Sequence, residues 1–340
     1  MHAGTSELVA SAVIKAAEAT GMPDGVFSNL NSKGIEVGSK LVQHPEVKGV
    51  GFTGSIRGGR ALHDLAAARK EPIPVFAEMG SVNPVVLMPE YLEKNAGALA
   101  KTYAGSITLG TGQFCTNPGL ILGLKSEALD QFSQQLGDEI VQIDPMCMLH
   151  PAIENNFTSG KTAMVEQGVQ ILNEFTAEIE PNYARQMVAT VDGKTFLSNN
   201  SLHEEVFGPY SLVIQCDDLN ELTEIVWTLE GQLTGTIMAE ANEIGENKQL
   251  IRAMQDRVGR LIFNGVPTGV EVCPSMLHGG PYPASTDSRF TAVGTDSIKR
   301  WVRPVSYQNW PNEHLPTELK NENPLNISRK VNNIDTREAI

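Results

Sequence analysis

The stretch "GTGQFCTNPG", Gly110 to Gly119, sets a cysteine among glycines, threonines, an asparagine and a proline. Unpaired cysteines usually pack inside a protein as small apolar side chains. A loop of small, turn-forming residues instead leaves backbone N–H groups uncovered and a thiol within reach. A nucleophilic cysteine works as its thiolate, which nearby N–H dipoles or a base favour. The N–H of Cys115 itself could also help hold an oxyanion. No histidine lies near Cys115 in the sequence, so a cysteine–histidine protease pair has no local support.

Three other stretches carry groups that suit such chemistry. "FAEMGSVNP" places Glu78 at the end of a strand-like run. Open α/β sheets keep their sites just beyond the carboxyl ends of parallel strands. A carboxylate there can serve as general base, or be a solvated turn residue. "VGFTGSIRGG", Val50 to Gly59, reads as strand, glycine-containing turn and helix start, with Gly54, Ser55 and Gly59 able to approach a phosphate. It is not the GxGxxG fingerprint, and a plain structural turn stays open. "HEEVFGPY", His203 to Tyr210, offers one of two carboxylates, Glu204 or Glu205, to the hydroxyls of a ribose and Phe207 to a flat ring, or else a strand entry with a solvated glutamate pair. No histidine has a partner at metal-ligand spacing, so no metal is assigned. Asn83–Pro84 reads as a turn.

Alternating strands and helices must position these groups. Apolar spacing predicts a helix over Ser6 to Thr20, capped by Thr5 and stopped by Gly21 and Pro23. "GVFSNL", "VKGVGFTG" and "IPVFAEM" read as strands, with helices in "IEVGSKLVQHP" and "RGGRALHDLAAARK". A second series follows. Its strands are "NPVVLM", "GLILGLK", "PYSLVIQC", "LTGTIMAE" and "VGRLIFNG". Its helices are Tyr91 to Ser106, "SEALDQFSQQLGDEI" capped by Ser126, "LNELTEIVWTLE" and "NKQLIRAMQDR". Strand and helix in alternation, joined by short connections, predict parallel α/β units. Two such units meet near Glu78 to Pro84, and an irregular tail rich in Pro, Asn and Ser starts near Pro281.

The bulk numbers bound the rest. The chain has 340 residues, 41% of them hydrophobic, enough for a sizeable core and about two domains. Its net charge is −14, and no run of Lys or Arg exceeds two residues, so no nucleic-acid footprint is read. Cys115, Cys147, Cys216 and Cys273 form no CxxC pair and no secreted disulfide framework. The start carries no signal-peptide pattern, and no stretch approaches the ~20 apolar residues of a membrane span. A cytoplasmic protein is the expectation.

In their order along the chain, "FTGS", Glu78 in "EMGSVNP", "GQFC" and "EEVFGP" resemble the aldehyde dehydrogenase superfamily, from the first residues to about Pro311. "HGGPYPAS" and "RWVRPVSYQNWP" look most like its α-ketoglutarate-semialdehyde (2,5-dioxopentanoate) dehydrogenase branch. The resemblance implies an α/β fold with a Rossmann-type cofactor domain, incomplete at its start, over residues 1-80. A catalytic thiol domain follows over 81-280, then the tail over 281-340. It implies that Cys115 attacks a small aldehyde to give a thiohemiacetal, that hydride then passes to NAD or NADP (NADP slightly favoured), and that Glu78 activates the water that hydrolyses the resulting thioester. Glu78 also argues against the CoA-acylating branch. Gly54, Ser55 and Gly59 would face the cofactor pyrophosphate, Gly34 the adenine side, Glu205 the nicotinamide ribose and Phe207 the ring. A homo-oligomer, dimer or tetramer, is implied, with no nucleic-acid or membrane partner. Cys115 is expected to alkylate faster than the other three cysteines. Ser81 stands where the common pattern has Gly. The match begins partway into the family pattern. The first cofactor strands, the adenosine-ribose Lys and the oxyanion-hole Asn would then precede Met1. The alternative reading is an N-terminally truncated, weak or inactive relative with a binding or oligomer role.

Overall fold

The structure, a computed structural model, describes residues 3–32 and 34–340. The chain divides into two compact units, Met1–Arg300 and Trp301–Ile340. The first opens with helices α1 (Ala3–Ala19) and α2 (Glu36–Gln43), strand β1 (Val50–Thr53), helix α3 (Ile56–Ala67) and strand β2 (Val75–Glu78). β1 and β2 pair in parallel, Val50 beside Val75 and Thr53 beside Glu78. Val42, Ala66, Val75, Ala77 and Met79 form a small core beneath them. α3 starts where it does because the Ser55 hydroxyl accepts the N–H of Gly58, satisfying one of the helix's orphan donors.

Two expectations fail in this region. Thr5 lies inside the first turn of α1 rather than capping it. "GVFSNL" forms no strand: Val26, Phe27 and Leu30 are exposed. A strand is held by a ladder of backbone bonds to a neighbour, and no described strand runs beside this segment.

The second sheet has seven strands. Along the chain come β3 (Val85–Leu87), α4 (Pro89–Thr108), β4 (Leu120–Leu124), α5 (Glu127–Ile140), α6 (Pro151–Glu166), β5 (Gln170–Glu174) and β6 (Met187–Asp192). Then follow α7 (Gly193–Ser198), β7 (Tyr210–Cys216), α8 (Leu219–Thr228), β8 (Gln232–Met238), α9 (Ala241–Glu246), α10 (Lys248–Arg257) and β9 (Val258–Phe263). The strand order is β5-β6-β7-β4-β3-β8-β9. Every pair is parallel except β5 with β6. The middle strands are buried on both faces and read as continuous apolar runs, as covered parallel strands do. Tyr103, Ile107, Phe132 and Leu136 cover one face, while Phe157, Phe196, Leu222 and Ile225 cover the other. Ser126 caps α5 as expected, accepting the N–H of Leu129. α6, β5, β6 and α7 are additions to the elements expected from the sequence.

The stretch beginning at Pro281 is irregular, but its first residues are built into the sheet edge. The N–H of Met79 donates to the carbonyl of Ala284 at 2.8 Å, and the N–H of Ala77 donates to the Thr286 hydroxyl at 2.9 Å. The second unit carries a hairpin, β10 (Arg329–Val331) and β11 (Ile334–Thr336). Its turn residues Asn332 and Asn333 both have positive φ, the combination a two-residue type I′ turn requires.

Candidate active site

Cys115 is delivered by a left-handed turn at the end of α4. Gly110, Thr111 and Gly112 have φ of 56°, 61° and 64°. A buried β-branched residue in that region is strained, and such outliers persist where surrounding structure fixes them. The fixing contact is Gly112 against Gly208 and Pro209. A Cβ on Gly112 would fall inside the contact radius of the Gly208 carbonyl carbon.

A buried polar network then suspends the cysteine loop from the amino ends of β3 and β8. Asn83, held at φ 46°, donates from Nδ2 to the carbonyls of Cys115 and Asn117, each at 2.9 Å. Its Oδ1 accepts the Thr234 hydroxyl at 2.9 Å. The Ser81 hydroxyl accepts the N–H of Leu233 and lies within donating distance of both Asn83 Oδ1 and Gln232 Oε1. Gln232 Oε1 also accepts the N–H of Val82 at 2.7 Å.

Glu78 ends β2 and is 6% exposed. The turn after β1 is tied to it, since the N–H of Gly54 donates to the Glu78 carbonyl at 3.1 Å. His278 completes the cluster at 4% exposure. Its N–H donates to the Thr291 hydroxyl. One ring nitrogen, Nε2, lies 3.1 Å from Glu78 Oε1 and 3.5 Å from Cys115 Sγ. A thiol, an imidazole and a carboxylate thus converge on one point. The cluster sits where the carboxyl ends of β1 and β2 face the amino ends of β3, β4 and β8.

The electrostatics make the resting sulfur a thiol. Burial pushes the Cys115 thiol up to about 12, and the charge and hydrogen bond of Glu78 and the charge of Glu205 push the same way, against a lowering from its own backbone. Of the two sources of thiolate character expected from the sequence, backbone dipoles or a nearby base, the dipoles are outweighed by desolvation and two carboxylates.

Glu205 reaches the same region. Its Oε2 lies 2.7 Å from where a Cβ on Gly80 would stand. The residue as a whole is exposed, with its carboxyl end set beside Gly80. Desolvation pushes that carboxyl up to about 7, with the Ser81 backbone opposing. Phe207, 37% exposed, lines a cleft with Ser81, Gly112, Phe114 and Glu205. Gly54 and Ser55 stand at the start of α3, where the Phe52 ring fills the space beside Gly54. Gly59 faces away from the turn: a Cβ there would meet Met79 Sδ at 2.5 Å, so its bareness lets α3 close on β2. Gly34 has φ 78° in the loop before α2, with open space around it.

Sequence reasoning missed His278 and the network of Ser81, Asn83 and Gln232. His278 lies 163 positions from Cys115, and no spacing rule links them. Asn83 was legible as a turn residue, and its left-handed φ agrees, but its side-chain work was not.

Residues 2–298 match the model of the aldehyde dehydrogenase family. The chain is 44% identical over 338 residues to an alpha-ketoglutaric semialdehyde dehydrogenase of Acinetobacter baylyi, covering 99% of this chain and 64% of that protein. It is 43% identical over 329 residues to alpha-ketoglutaric semialdehyde dehydrogenase 2 of Azospirillum brasilense, covering 96% and 63%. The chain therefore spans a little under two thirds of the length of these relatives. Among solved structures, the gamma-glutamyl-gamma-aminobutyraldehyde dehydrogenase of Burkholderia cenocepacia superposes with a TM-score of 0.70 at 21% identity, over 85% of this chain and 57% of that one. An indole-3-acetaldehyde dehydrogenase complexed with NAD+ superposes with a TM-score of 0.72 at 20% identity, over 85% and 58%. These likenesses carry the α/β fold expected from the sequence.

Proposed function

The chain belongs to the aldehyde dehydrogenase family, and from that premise we propose that Cys115, Glu78 and His278 oxidise a small aldehyde to its carboxylic acid through a thioester on Cys115. The observation that carries this reading is the meeting of thiol, imidazole and carboxylate at one nitrogen, His278 Nε2.

The first task is removal of the thiol proton. With its proton on Nδ1, His278 offers the Nε2 lone pair to Sγ–H. The imidazolium formed then points its new N–H at Glu78, which accepts the hydrogen bond and stays ionised. The sulfur attacks the aldehyde carbon, the C–S bond forms and the carbonyl π pair moves to oxygen, where the Cys115 N–H can donate to it. A nicotinamide cofactor, when bound, supplies the two-electron acceptor that turns the thiohemiacetal into the thioester. Glu78 next takes a proton from water, the hydroxide adds to the thioester carbon, and the C–S bond breaks. Sulfur leaves as thiolate and regains a proton. Covalent catalysis splits one difficult oxidation into these easier steps.

The residues fit a nicotinamide cofactor, NAD or NADP. Gly80 lacks a Cβ where the Glu205 carboxylate enters, and a desolvated carboxylate gains from the hydroxyl donors of a ribose. Gly54 and Ser55 would stand by the phosphates and Phe207 by the ring. Residues 1-80 on this reading serve the cofactor and 81-280 the thiol, with His278 and the start of the tail closing the site. The identity to the two semialdehyde dehydrogenases points to α-ketoglutarate semialdehyde or a similar small aldehyde as substrate. Among the described residues no helix is long and apolar enough to cross a membrane.

The test is oxidation of that semialdehyde by the purified chain with NAD+ or NADP+, alongside Cys115→Ala and Glu78→Gln. Turnover should vanish in Cys115→Ala, and Glu78→Gln should hold an acyl group on the Cys115 peptide, seen by mass spectrometry. Turnover that survives Cys115→Ala overturns the proposal. No acyl adduct and no turnover in any form leaves the binding-only reading.

A further inference from the structure

We infer that Glu78, Cys115 and His278 also form a site for a thiophilic divalent cation of the zinc class, whose occupancy silences the nucleophile. The inference rests on the donor set alone and would stand if the aldehyde reaction failed. Their ligand atoms all lie within 4.8 Å of one another. Zinc bond lengths with tetrahedral angles require about 3.6 Å between a sulfur and a nitrogen ligand, and about 3.4 Å between a nitrogen and an oxygen ligand. The Nε2–Sγ and Nε2–Oε1 separations are 3.5 and 3.1 Å. Two of the three spacings are thus within a few tenths of an ångström of what the ion demands.

The chemistry agrees with the geometry. Thiolate, imidazole and carboxylate together suit zinc better than a hard cation such as magnesium. Two of the three side chains are almost wholly buried, so little solvent competes for them. The carboxylates that disfavour a bare thiolate favour one bound to a cation, because the ion's charge reverses the local field. Three protein ligands leave a fourth position for water. Binding breaks the Cys115 S–H bond, forms an S–metal bond and releases one proton to solvent, with no change of oxidation state. While bound, the sulfur pair is unavailable to an electrophile and the Glu78 oxygen is unavailable to water.

The test uses the full chain, reduced and stripped of metal with a chelator. Co2+ is the optical probe and Zn2+ the competitor. One Co2+ per chain should bind with a thiolate-to-cobalt charge-transfer band, and Zn2+ should bleach it and protect Cys115 from iodoacetamide. Cys115→Ser should abolish the band while circular dichroism shows an unchanged fold. His278→Ala should weaken binding by more than about 100-fold, since loss of an outer partner alone costs about 10- to 100-fold. Cys147→Ser and Cys273→Ser should change nothing. Absence of saturable binding, or a band that survives Cys115→Ser or follows Cys147 or Cys273, overturns the site. Intact cobalt binding without aldehyde turnover sinks only the reaction.

Discussion

Asn83→Ala is the most searching single change, because one side chain holds the thiol loop to the sheet. The substitution removes the donor to the carbonyls of Cys115 and Asn117 and the acceptor of the Thr234 hydroxyl. Buried groups left unpaired cost about 1–3 kcal/mol each, so three of them amount to roughly 3–6 kcal/mol after partial relaxation. Alanine at φ 46° adds about 1 kcal/mol, because it lacks the short polar side chain that lets asparagine adopt the left-handed region. The sum, about 4–7 kcal/mol, rivals the whole stability of an ordinary domain, about 5–15 kcal/mol. Asn83→Gly loses the same bonds but tolerates the backbone, so it should be about 1 kcal/mol less damaged than Asn83→Ala. Urea unfolding followed by circular dichroism gives both differences, and alkylation of Cys115 by iodoacetamide reports whether its loop has come loose. If Asn83→Ala unfolds within about 1 kcal/mol of wild type, a deficit too small for even one orphaned pair of buried groups, the network does not hold the loop.

Two further outcomes follow from the site. The alkylation rate of Cys115 should still climb with pH beyond 9, where an ordinary thiol levels off, because burial and two carboxylates disfavour its thiolate and raise its pKa. A plateau near neutrality would mean that His278 already holds the proton in the resting site. Gly112→Ala should destabilise the chain by more than about 2 kcal/mol, a cost expected of overpacking combined with a forced left-handed backbone. Gly105→Ala, where a Cβ would meet nothing, serves as control in the same thermal unfolding assay, and equal losses in both would refute the close contact with Gly208.

The parts of this molecule that sequence reading reached are those whose signal is local. Small residues around Cys115 mark a turn, and a carboxylate at the end of "IPVFAE" marks a strand terminus. The alternation from "NPVVLM" to "VGRLIFNG" marks a parallel sheet. The missed parts depend on distant partners. His278 matters only because the chain returns from 163 positions away. "GVFSNL" has the composition of a strand, but no described strand lies beside it. β5 and β6 were hidden for a different reason: "QILNE" is half polar and bulged against its partner, and "MVATVD" mixes small and polar residues into a buried strand. The ionisation of Cys115 was the least legible, since it depends on burial that no local pattern reports.

The contact between Gly112 and Gly208 bears on how this family's history can be read. Neither position has room for a side chain: a Cβ on Gly112 would strike the backbone of Gly208, and one on Gly208 would strike the Phe157 ring. Packing therefore requires glycine at both positions, whatever the chemistry beside them. In a relative without a cysteine at this position, they would still be needed for the sheet to fold. Glu78 and His278 would be free to drift there. Retention of the two glycines in a relative would therefore report only that its sheet still packs this way, and joint retention of Glu78, Cys115 and His278 would report on the site.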